Sequence, residues 1–399
     1  MSRRLTWLTG LSVLLLGGCG INLPGQYPLA SYTRAELIGE KSDERVDLPP
    51  AIREELGNLL VDYFGTPKQP GLLSISDEQW QNLIHGQALY QKHCIHCHGL
   101  NGGGNGPTAP FLFPRPRDYR RGVFKWKSTT RTAKPTREDL LLILKEGAIG
   151  TSMPPFRLMP EKQLNELVDY VIFLSMRGEF ERKLLQYYAT EGPNVRQMYA
   201  EGVSGAEVQQ SVAQFNKELA EMAPEVLAEV QESWRQAGDD IIEPNETMPS
   251  YNVESEEYEA SLQRGKELYL GDKAACYKCH NRDGRANVAD MDPSMREKNV
   301  DDWGQPNYPR NLLLGMYRGG RRPVDLFRRI HQGIAGAQMP AGGSNLKPRE
   351  IWDIVNFVRA LPYRPSLLPQ EKPKSAGHGH GHGAEESHAA EDDAKAEDH

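Results

Sequence analysis

The chain has 399 residues, enough for two or three domains of ordinary size, which excludes a single small module. Hydrophobic residues make up 38% of the sequence and the mean hydropathy is -0.61, which leaves too little apolar sequence for a polytopic membrane protein. A formal net charge of -7 argues against a nucleic-acid binder, and five cysteines are too few for a disulfide scaffold.

The N-terminus has the pattern of an export signal. A short basic start at residues 2–4 precedes an apolar stretch over residues 5–18, which is too short to span a bilayer comfortably. The stretch ends in Leu-Gly-Gly-Cys, and this string resembles the bacterial lipobox, in which the cysteine is acylated and becomes the first mature residue. The alternative is an ordinary signal peptide with a chance cysteine. We therefore expect residues 1–18 to be a lipoprotein signal peptide and Cys19 to anchor the exported protein on the periplasmic side of a bacterial membrane.

The two ends of the mature chain predict little packed structure. Residues 19–75 hold several prolines, two charge clusters and one short amphipathic piece, so we expect an extended membrane-proximal spacer. Residues 367–399 are rich in histidine, acids and small residues, and we expect this tail to be disordered. The His-Gly run at residues 378–382 could bind a transition metal weakly, but a solvating tail is the favoured interpretation.

Between these ends the sequence repeats itself, and the repeat defines its organisation. Residues 86–90 match residues 265–269 just before two Cys-x-x-Cys-His motifs. The string Gly-x-x-Gly-x-x-Met-Pro then occurs at residues 147–154 and again at residues 333–340. Each copy closes with apolar residues at i, i+3, i+4 spacing, which predicts an amphipathic helix.

We therefore predict a mainly α protein with two homologous helical domains, at residues 76–178 and 256–366. Residues 179–255 separate them and show apolar positions at alternating spacings of four and three, which is typical of helices. This segment is expected to be a helical linker whose apolar stripe packs against the flanking domains. A partner-binding surface is the alternative for that stripe.

The two Cys-x-x-Cys-His motifs carry the chemistry. On a helical turn the two sulfurs face the same way and can form thioethers to the two vinyl groups of haem, while the adjacent histidine lies under the iron. All four cysteines other than Cys19 fall in these motifs, in matched contexts and in a chain with an export signal. The sequence therefore predicts two covalently bound c-type haems, held by Cys94, Cys97, His98, Cys276, Cys279 and His280.

Three other interpretations of these cysteines compete. A redox-active pair of thioredoxin type needs a strand-turn-helix context, whereas the pattern before each motif is helical. A zinc site built from both pairs would bridge an interval far longer than the usual linker of about 15–20 residues. Simple disulfides would leave the two histidines without a role.

The sixth iron ligand must come from the opposite haem face, and the repeated Met-Pro strings offer Met153 and Met339. Thioether sulfur is a known partner of histidine on haem iron and raises the reduction potential. The proline after each methionine restricts that residue to an extended conformation, which helps to fix the sulfur. Methionine as core filler is the alternative. The rival ligands are Met159 for the first haem, and Met316 and His331 for the second.

These motifs resemble those of a known family, the class I cytochrome c fold, in the tandem form of exported bacterial dihaem cytochromes. The resemblance covers both repeat domains, a little over half of the chain. It implies that an N-terminal helix crosses a C-terminal helix in each domain. The contacts are expected at Gly86, Tyr90, Tyr170 and Phe173 in the first domain and at Gly265, Tyr269 and Phe357 in the second.

The resemblance also implies groups around each haem. In the family, a Gly-Pro pair soon after the motif gives a backbone carbonyl to the ligand histidine. Gly106 and Pro107 match this pair in the first domain, and no such pair follows closely on His280. Arg117 and Arg310, each after a matched proline, look like partners for haem propionates. A surface ion pair is the alternative for both arginines.

These expectations favour the transfer of single electrons by two six-coordinate haems, within or beside a membrane respiratory complex. The partner would be a redox protein at the membrane, such as a terminal oxidase or a quinol-oxidising complex. The rival is a dihaem enzyme of peroxidase type, which needs one displaceable axial ligand and distal acid-base residues; the sequence gives no evident set of the latter. A redox sensor or structural haem subunit is a third class, and no sequence feature discriminates it.

Overall fold

The computed structural model describes residues 23–72, 75–250, 252–291 and 293–369. Within these ranges the chain is mostly helical and contains no β-strand, which confirms the mainly α prediction. The expected signal peptide, Cys19 and the tail beyond residue 369 lie outside the described residues. No helix in the described ranges combines the length and the apolar composition that a bilayer crossing requires.

The helices are numbered in chain order. The first eight are α1 (Arg34–Ile38), α2 (Pro50–Phe64), α3 (Asp77–His93), α4 (Ile95–His98), α5 (Arg137–Glu146), α6 (Glu161–Glu191), α7 (Val195–Ala200) and α8 (Gly205–Arg235). The next five are α9 (Glu256–Leu270), α10 (Tyr277–His280), α11 (Pro293–Lys298), α12 (Pro323–Gln332) and α13 (Pro348–Ala360).

Side-chain caps fix where several of these helices begin. In each case a hydroxyl accepts a backbone N–H in the first helical turn, and an acidic or amide side chain from that turn accepts the N–H of the capping residue. The hydroxyl residues are Thr33 for α1, Ser76 for α3, Thr136 for α5 and Ser204 for α8. These reciprocal bonds start the helices that carry and flank the first site.

In the first domain, α3 and α6 cross at Gly86. A Cβ on Gly86 would lie 2.1 Å from the carbonyl oxygen of Glu166, so only glycine allows α6 to approach this closely. Beside this contact, the ring centroids of Tyr90 and Tyr170 lie 5.2 Å apart. The helix crossing expected for the first domain is confirmed.

The second domain repeats the crossing with α9 and α13. A Cβ on Gly265 would lie 2.2 Å from the carbonyl oxygen of Asp353, and the rings of Tyr269 and Phe357 lie 5.5 Å apart. The Asp353 carboxylate is buried at the crossing, where Arg264 of α9 donates to it at 2.8 Å. The expected second crossing is therefore also confirmed.

The N-terminal segment differs from the prediction. The sequence indicated an extended spacer over residues 19–75, whereas residues 23–72 fold against the first domain and bury Ile52 and Phe64 of α2. The ring of Phe64 lies 5.3 Å from that of Phe180. The physical reason is that α6 continues past residue 178, the expected end of the domain, and offers α1 and α2 an apolar surface to cover.

A buried ion pair fixes this N-terminal segment to α6. Arg177 Nη1 lies 2.9 Å from Glu181 Oε2, and the two side chains are 2% and 0% exposed. The Arg177 guanidinium lies 4.6 Å from the ring centroid of Tyr27, whose hydroxyl is 3.0 Å from that of Tyr170. The backbone N–H of Ala30 donates to the Glu181 carboxylate. Because neither charge could stay buried alone, these contacts hold the segment in one arrangement.

The segment expected to be a helical linker is largely helical. Its main helix, α8, packs on α2 and α6 and stacks Phe215 on Tyr187 at a centroid distance of 5.4 Å. Near its C-terminal end, Trp234 Nε1 donates to the Glu179 carboxylate at 2.8 Å. The apolar stripe of α8 is thus part of the first domain's core, as the favoured interpretation predicted.

Residues 241–250 then join the two domains. The backbone N–H of Ile242 donates to the carbonyl of Ser128 in the first domain at 2.9 Å, while the Ile242 side chain lies in the second apolar core. Trp352 Nε1 of α13 donates to the carbonyl of Glu246 at 2.9 Å. The described residues therefore form two apolar cores that polar contacts tie together.

Candidate functional site

Each Cys-x-x-Cys-His motif forms a single helical turn after a longer helix. In the first domain, α3 ends at His93 and α4 follows at once; in the second, α9 precedes α10. Backbone bonds close both turns, because His98 N donates to Cys94 O and His280 N donates to Cys276 O, each at 2.9 Å. Cysteines three residues apart on such a turn face the same side of it.

Burial disfavours the thiolate form of the first cysteine in each motif. The four cysteines are free, and burial raises the pKa of Cys94 to about 12 and that of Cys276 to about 11. A redox-active pair of thioredoxin type needs a lowered thiol pKa, so this environment disfavours that interpretation. The described ranges contain no group of three histidine, cysteine or acidic side chains arranged to hold a metal ion.

The backbone orients both motif histidines in the same way. His98 Nδ1 lies 3.2 Å from the carbonyl oxygen of Arg117, and His280 Nδ1 lies 3.0 Å from that of Arg310. Since a carbonyl can only accept, each Nδ1 carries the proton and donates it, which leaves a lone pair on Nε2. Burial lowers the pKa of His98 to about 4 and also lowers that of His280, so both imidazoles are neutral and able to bind iron through Nε2.

These contacts correct the expectation for Gly106 and Pro107. The carbonyl that orients the first histidine belongs to Arg117, while Gly106 donates its N–H to the carbonyl of Cys97 at 3.1 Å. The second domain lacks the Gly-Pro pair and uses the carbonyl of Arg310 at the equivalent position. The repeat marks both arginines, which follow matched prolines, but it does not indicate that their carbonyls orient the histidines.

The first motif opens on a cavity of about 430 Å³. Cys94, Cys97 and His98 form part of its wall, and Met153 and Arg117 lie in the same wall. The rival methionine of this domain, at position 159, is not among the residues that line the cavity. The structure thus brings together the five residues that the sequence predicted for the first site.

The two methionine loops share one backbone turn. Gly147 and Gly333, which begin the loops, have φ of +69° and +70°, a region that other residues rarely adopt. Ala148 N donates to Met153 O and Ile334 N donates to Met339 O, both at 3.2 Å. The same bond and the same half-buried position of the methionine therefore recur in the second domain.

The rival ligands of the second domain have other surroundings. Met316 is 36% exposed. The ring of His331 stacks on that of Phe327 in the same helix, with centroids 5.9 Å apart. Neither shares the turn that holds Met339.

The two predicted propionate partners lie at the boundary between the domains. The Arg117 guanidinium lies 3.7 Å from the ring centroid of Trp303, and burial lowers its pKa to about 10. Arg310 Nη2 lies 2.8 Å from the position that a Cβ on Gly150, in the first methionine loop, would occupy. Within the described part of the chain neither arginine forms an ion pair, in contrast to the surface ion pair that was the alternative.

Several side chains that form contacts across this boundary were not predicted from the sequence. Lys125 of the first domain and Asp301 of the second form a buried ion pair at 2.8 Å. Arg131 of the first domain donates to the carbonyls of Met339 and Ala337 in the second methionine loop, at 3.0 and 3.1 Å. No repeat marks these positions, so the sequence carried no signal for them.

The residues around the first cavity fit a haem. Two thiols, an imidazole with a free Nε2 and a thioether line one cavity, which is the donor set of a His/Met-ligated c-type haem. Trp303 Nε1 and Arg318 Nε, both in side chains of the cavity wall, are buried and have no hydrogen-bond partner among the described residues. A buried donor of this kind is costly unless an acceptor meets it, and the carboxylates of haem are acceptors.

The two repeat domains match two different families of known proteins. Residues 74–171 match the family described as cytochrome c oxidase, cbb3-type, subunit III, and residues 262–362 match the family described as cytochrome c. A solved chain from the Kuenenia stuttgartiensis reducing HAO-like protein complex is similar over 71% of this chain and 96% of that one, with 23% identity and a TM-score of 0.48. No curated protein matches the chain.

Proposed function

Because the chain carries two cytochrome c-type domains in tandem, consistent with a dihaem class I cytochrome c, we propose that it transfers single electrons in a membrane-associated bacterial respiratory chain. Cytochrome c domains imply haem c as the cofactor and haem-based electron transfer as the role. The proposal adds covalent attachment of one haem in each domain, with His98 and Met153 as the iron ligands in the first and His280 and Met339 in the second.

The chain's own groups prepare each ligand. When bound, haem c supplies an iron centre that gains or loses one electron. Each motif histidine presents Nε2 because its Nδ1–H is donated to a fixed carbonyl, a contact that sets the ring orientation and raises the basicity of the ligating nitrogen. The methionine loops offer a thioether, a ligand that favours the reduced state.

The observation that carries the proposal is the cavity shared by Cys94, Cys97, His98 and Met153. The recurrence of the same backbone bonds around His280 and Met339 supports a second site of the same kind. Two protein ligands on each iron would leave no position for a substrate, which favours a carrier over a peroxidase.

We further propose that the protein is exported and lipid-anchored at Cys19 on the periplasmic side of the membrane. The basic start, the apolar stretch and the Leu-Gly-Gly-Cys string support this location. The partner there would be a redox protein in or at the membrane, either a terminal oxidase or a quinol-oxidising complex. An anchored carrier gains effective concentration toward such a partner.

Haem content and spectra test the electron-transfer proposal. The full-length protein, produced in a host that matures c-type cytochromes, should contain two haems per chain in a pyridine haemochrome assay. Both oxidised haems should be low-spin and show a methionine-to-iron charge-transfer band. A high-spin haem that binds hydrogen peroxide would overturn the carrier proposal in favour of the peroxidase alternative.

Membrane fractionation tests the location. The wild-type protein should remain with the membranes after a high-salt wash, and Cys19→Ser should be released in soluble form or retain its signal peptide. Release of both proteins by salt alone would contradict lipid anchoring. Co-purification from detergent-solubilised membranes would then identify the redox partner.

A further inference from the structure

A segment of the second domain, residues 299–307, lies against the first site. We call it the bridging segment; it is closed by a backbone pairing between Val300 and Pro306. Arg121 of the first domain donates to the carbonyl of Asp302 at 2.6 Å, and Lys125 pairs with Asp301. Because the Lys125–Asp301 pair is only 9% exposed on either side, the segment is fixed in place rather than loosely apposed.

Trp303 is the central residue of the bridging segment. One face of its indole lies under the Arg117 guanidinium of the first domain. Another part of the ring packs on Gly336 of the second methionine loop, where a Cβ would lie 2.3 Å from the indole. The indole also lines the first cavity, and its Nε1 is buried with no hydrogen-bond partner among the described residues.

Arg318 of the second domain lines the same cavity, and its Nε is likewise buried without a partner in the described ranges. Burial, together with the nearby charge of Arg310, lowers the pKa of Arg318 to about 10. Arg318 is half-buried, and a guanidinium whose buried Nε lacks an acceptor and which lies near another cation is costly, so a negatively charged group is expected to face it.

The acids of the cavity wall do not supply that negative charge. Three carboxylates line the cavity, and each already pairs with its own cation, which leaves Arg117 and Arg318 without an ion pair among the described residues. The pairs are Glu36 with Arg121 at 3.0 Å, Asp118 with Arg120 at 2.7 Å, and Asp301 with Lys125 at 2.8 Å. The wall of the first site therefore has an excess of positive charge over its own carboxylates.

We propose that Trp303 and Arg318 of the second domain bind the propionate carboxylates of the haem held by His98 in the first domain. The second domain thereby completes the first domain's site. Both would contact the cofactor directly, Trp303 through its Nε1–H and Arg318 through charge-assisted donors. The negative charge of the propionates favours the more positive, oxidised iron. When Trp303 and Arg318 neutralise that charge, the oxidised state becomes less favourable, so these contacts raise the reduction potential of the first haem. This inference rests on the proposed function, because it needs a haem at His98.

Redox titration of the full-length protein, followed by visible spectroscopy, tests the inference. Trp303→Phe keeps a ring against Arg117 and Gly336 and removes the N–H. Arg318→Gln removes the charge, and Arg318→Lys keeps it. The matched control is Trp80→Phe, since Trp80 is 41% exposed on α3 and does not line the cavity. The two redox waves are assigned beforehand with Met153→Ala and Met339→Ala.

We expect Trp303→Phe and Arg318→Gln each to shift the first wave to lower potential, and to shift it more than the second wave. Arg318→Lys should retain most of the wild-type potential, and Trp80→Phe should retain all of it. The haem count and the methionine-to-iron band should stay intact, which separates a lost contact from a misfolded site. If Trp303→Phe does not retain its haems, the comparison of Arg318→Gln with Arg318→Lys tests the inference instead.

The inference is overturned if Arg318→Gln and every haem-replete Trp303→Phe preparation leave the first wave unmoved while Met153→Ala displaces it. A wild-type protein without two low-spin haems would overturn the proposed function instead. The two failures are therefore distinguishable by the spectra of the wild type alone.

Discussion

At the residue scale, the chemistry of the site was the most predictable part of the molecule. Haem attachment requires a fixed spacing of two cysteines and a histidine, which predicts Cys94, Cys97 and His98 as one set, and the structure places all three in the wall of one cavity. The carbonyl that orients His98 could not, because any residue supplies a carbonyl and only the folded loop selects Arg117. The repeat singled out Arg117 as a candidate for its side chain, and the role of its carbonyl was not predicted.

Replacing the proposed methionine ligands tests the assignment most directly. Met153→Ala and Met339→Ala should each lower the potential of the haem in its own domain by an amount on the order of 0.1 V, within the roughly 0.8 V range that protein ligands and surroundings span. Each should also lose one methionine-to-iron band. Met159→Ala and Met316→Ala are the controls, and a potential shift in either control without a shift in its partner would reassign the ligand.

The buried Arg177–Glu181 pair offers a stability test. Arg177→Ala leaves the Glu181 carboxylate without its cation in a site that is 0% exposed, so we expect a loss of about 3–5 kcal/mol in the free energy of unfolding, measured with urea. The matched control is Lys217→Ala in the exposed pair of the same i, i+4 spacing, where Lys217 and Glu221 lie 3.7 Å apart. That change should cost at most about 0.5 kcal/mol. Equal losses in the two variants would contradict a structural role for the buried pair.

At the scale of helices, periodicity predicted the closing helix of each repeat, and two aromatic-glycine pairs located the crossings. The prediction ended the first domain at residue 178, whereas α6 continues to Glu191. Nothing in the local pattern marks a stop at residue 178, since the run that continues there carries Phe180 and Leu184, both buried. The N-terminal segment was misjudged for the same reason: its apolar residues are few, and their packing surface lies on a helix more than a hundred residues away in sequence.

The helix crossings can be tested by adding one methyl group. Gly86→Ala places a carbon where the Glu166 carbonyl leaves 2.1 Å, so α3 and α6 must separate. We expect a loss of about 1–3 kcal/mol in the free energy of unfolding and a lower Tm when thermal unfolding is followed by visible spectroscopy. Gly205→Ala is the control, because no atom lies within 4 Å of its Cβ position at the start of α8. This change should be neutral or slightly stabilising, and a similar loss at both positions would refute the close-contact explanation.

At the scale of the whole molecule, each domain contacts the methionine loop of the other domain. Arg131 of the first domain donates to the loop that carries Met339, and Arg310 of the second domain packs on Gly150 in the loop that carries Met153. The sequence predicted two domains separated by a linker and gave no sign of this exchange, because interdomain contacts follow neither a helical period nor the repeat. The two sites are therefore expected to influence each other.

Removing Arg131 tests that exchange. Arg131→Ala deletes two hydrogen bonds to the second methionine loop, at 3.0 and 3.1 Å, so Met339 should be displaced more easily by an added ligand. We expect imidazole to bind the second haem about tenfold more tightly, which corresponds to about 1.4 kcal/mol. Arg137→Ala is the control, since the half-exposed Arg137 pairs with Asp169 within the first domain. Unchanged imidazole affinity in Arg131→Ala would show that the loop holds its methionine unaided.

The packing of the N-terminal segment has a consequence for how the protein would meet its partner. Seven residues lie between Cys19 and Tyr27, which is 5% exposed in the first core, and the eight residue-to-residue steps span at most about 29 Å when fully extended. With a lipid on Cys19, this short tether would keep the first domain close to the bilayer surface. Its search for a partner would then be two-dimensional, and the electron flux would depend on the surface density of the protein and on its lateral diffusion in the membrane.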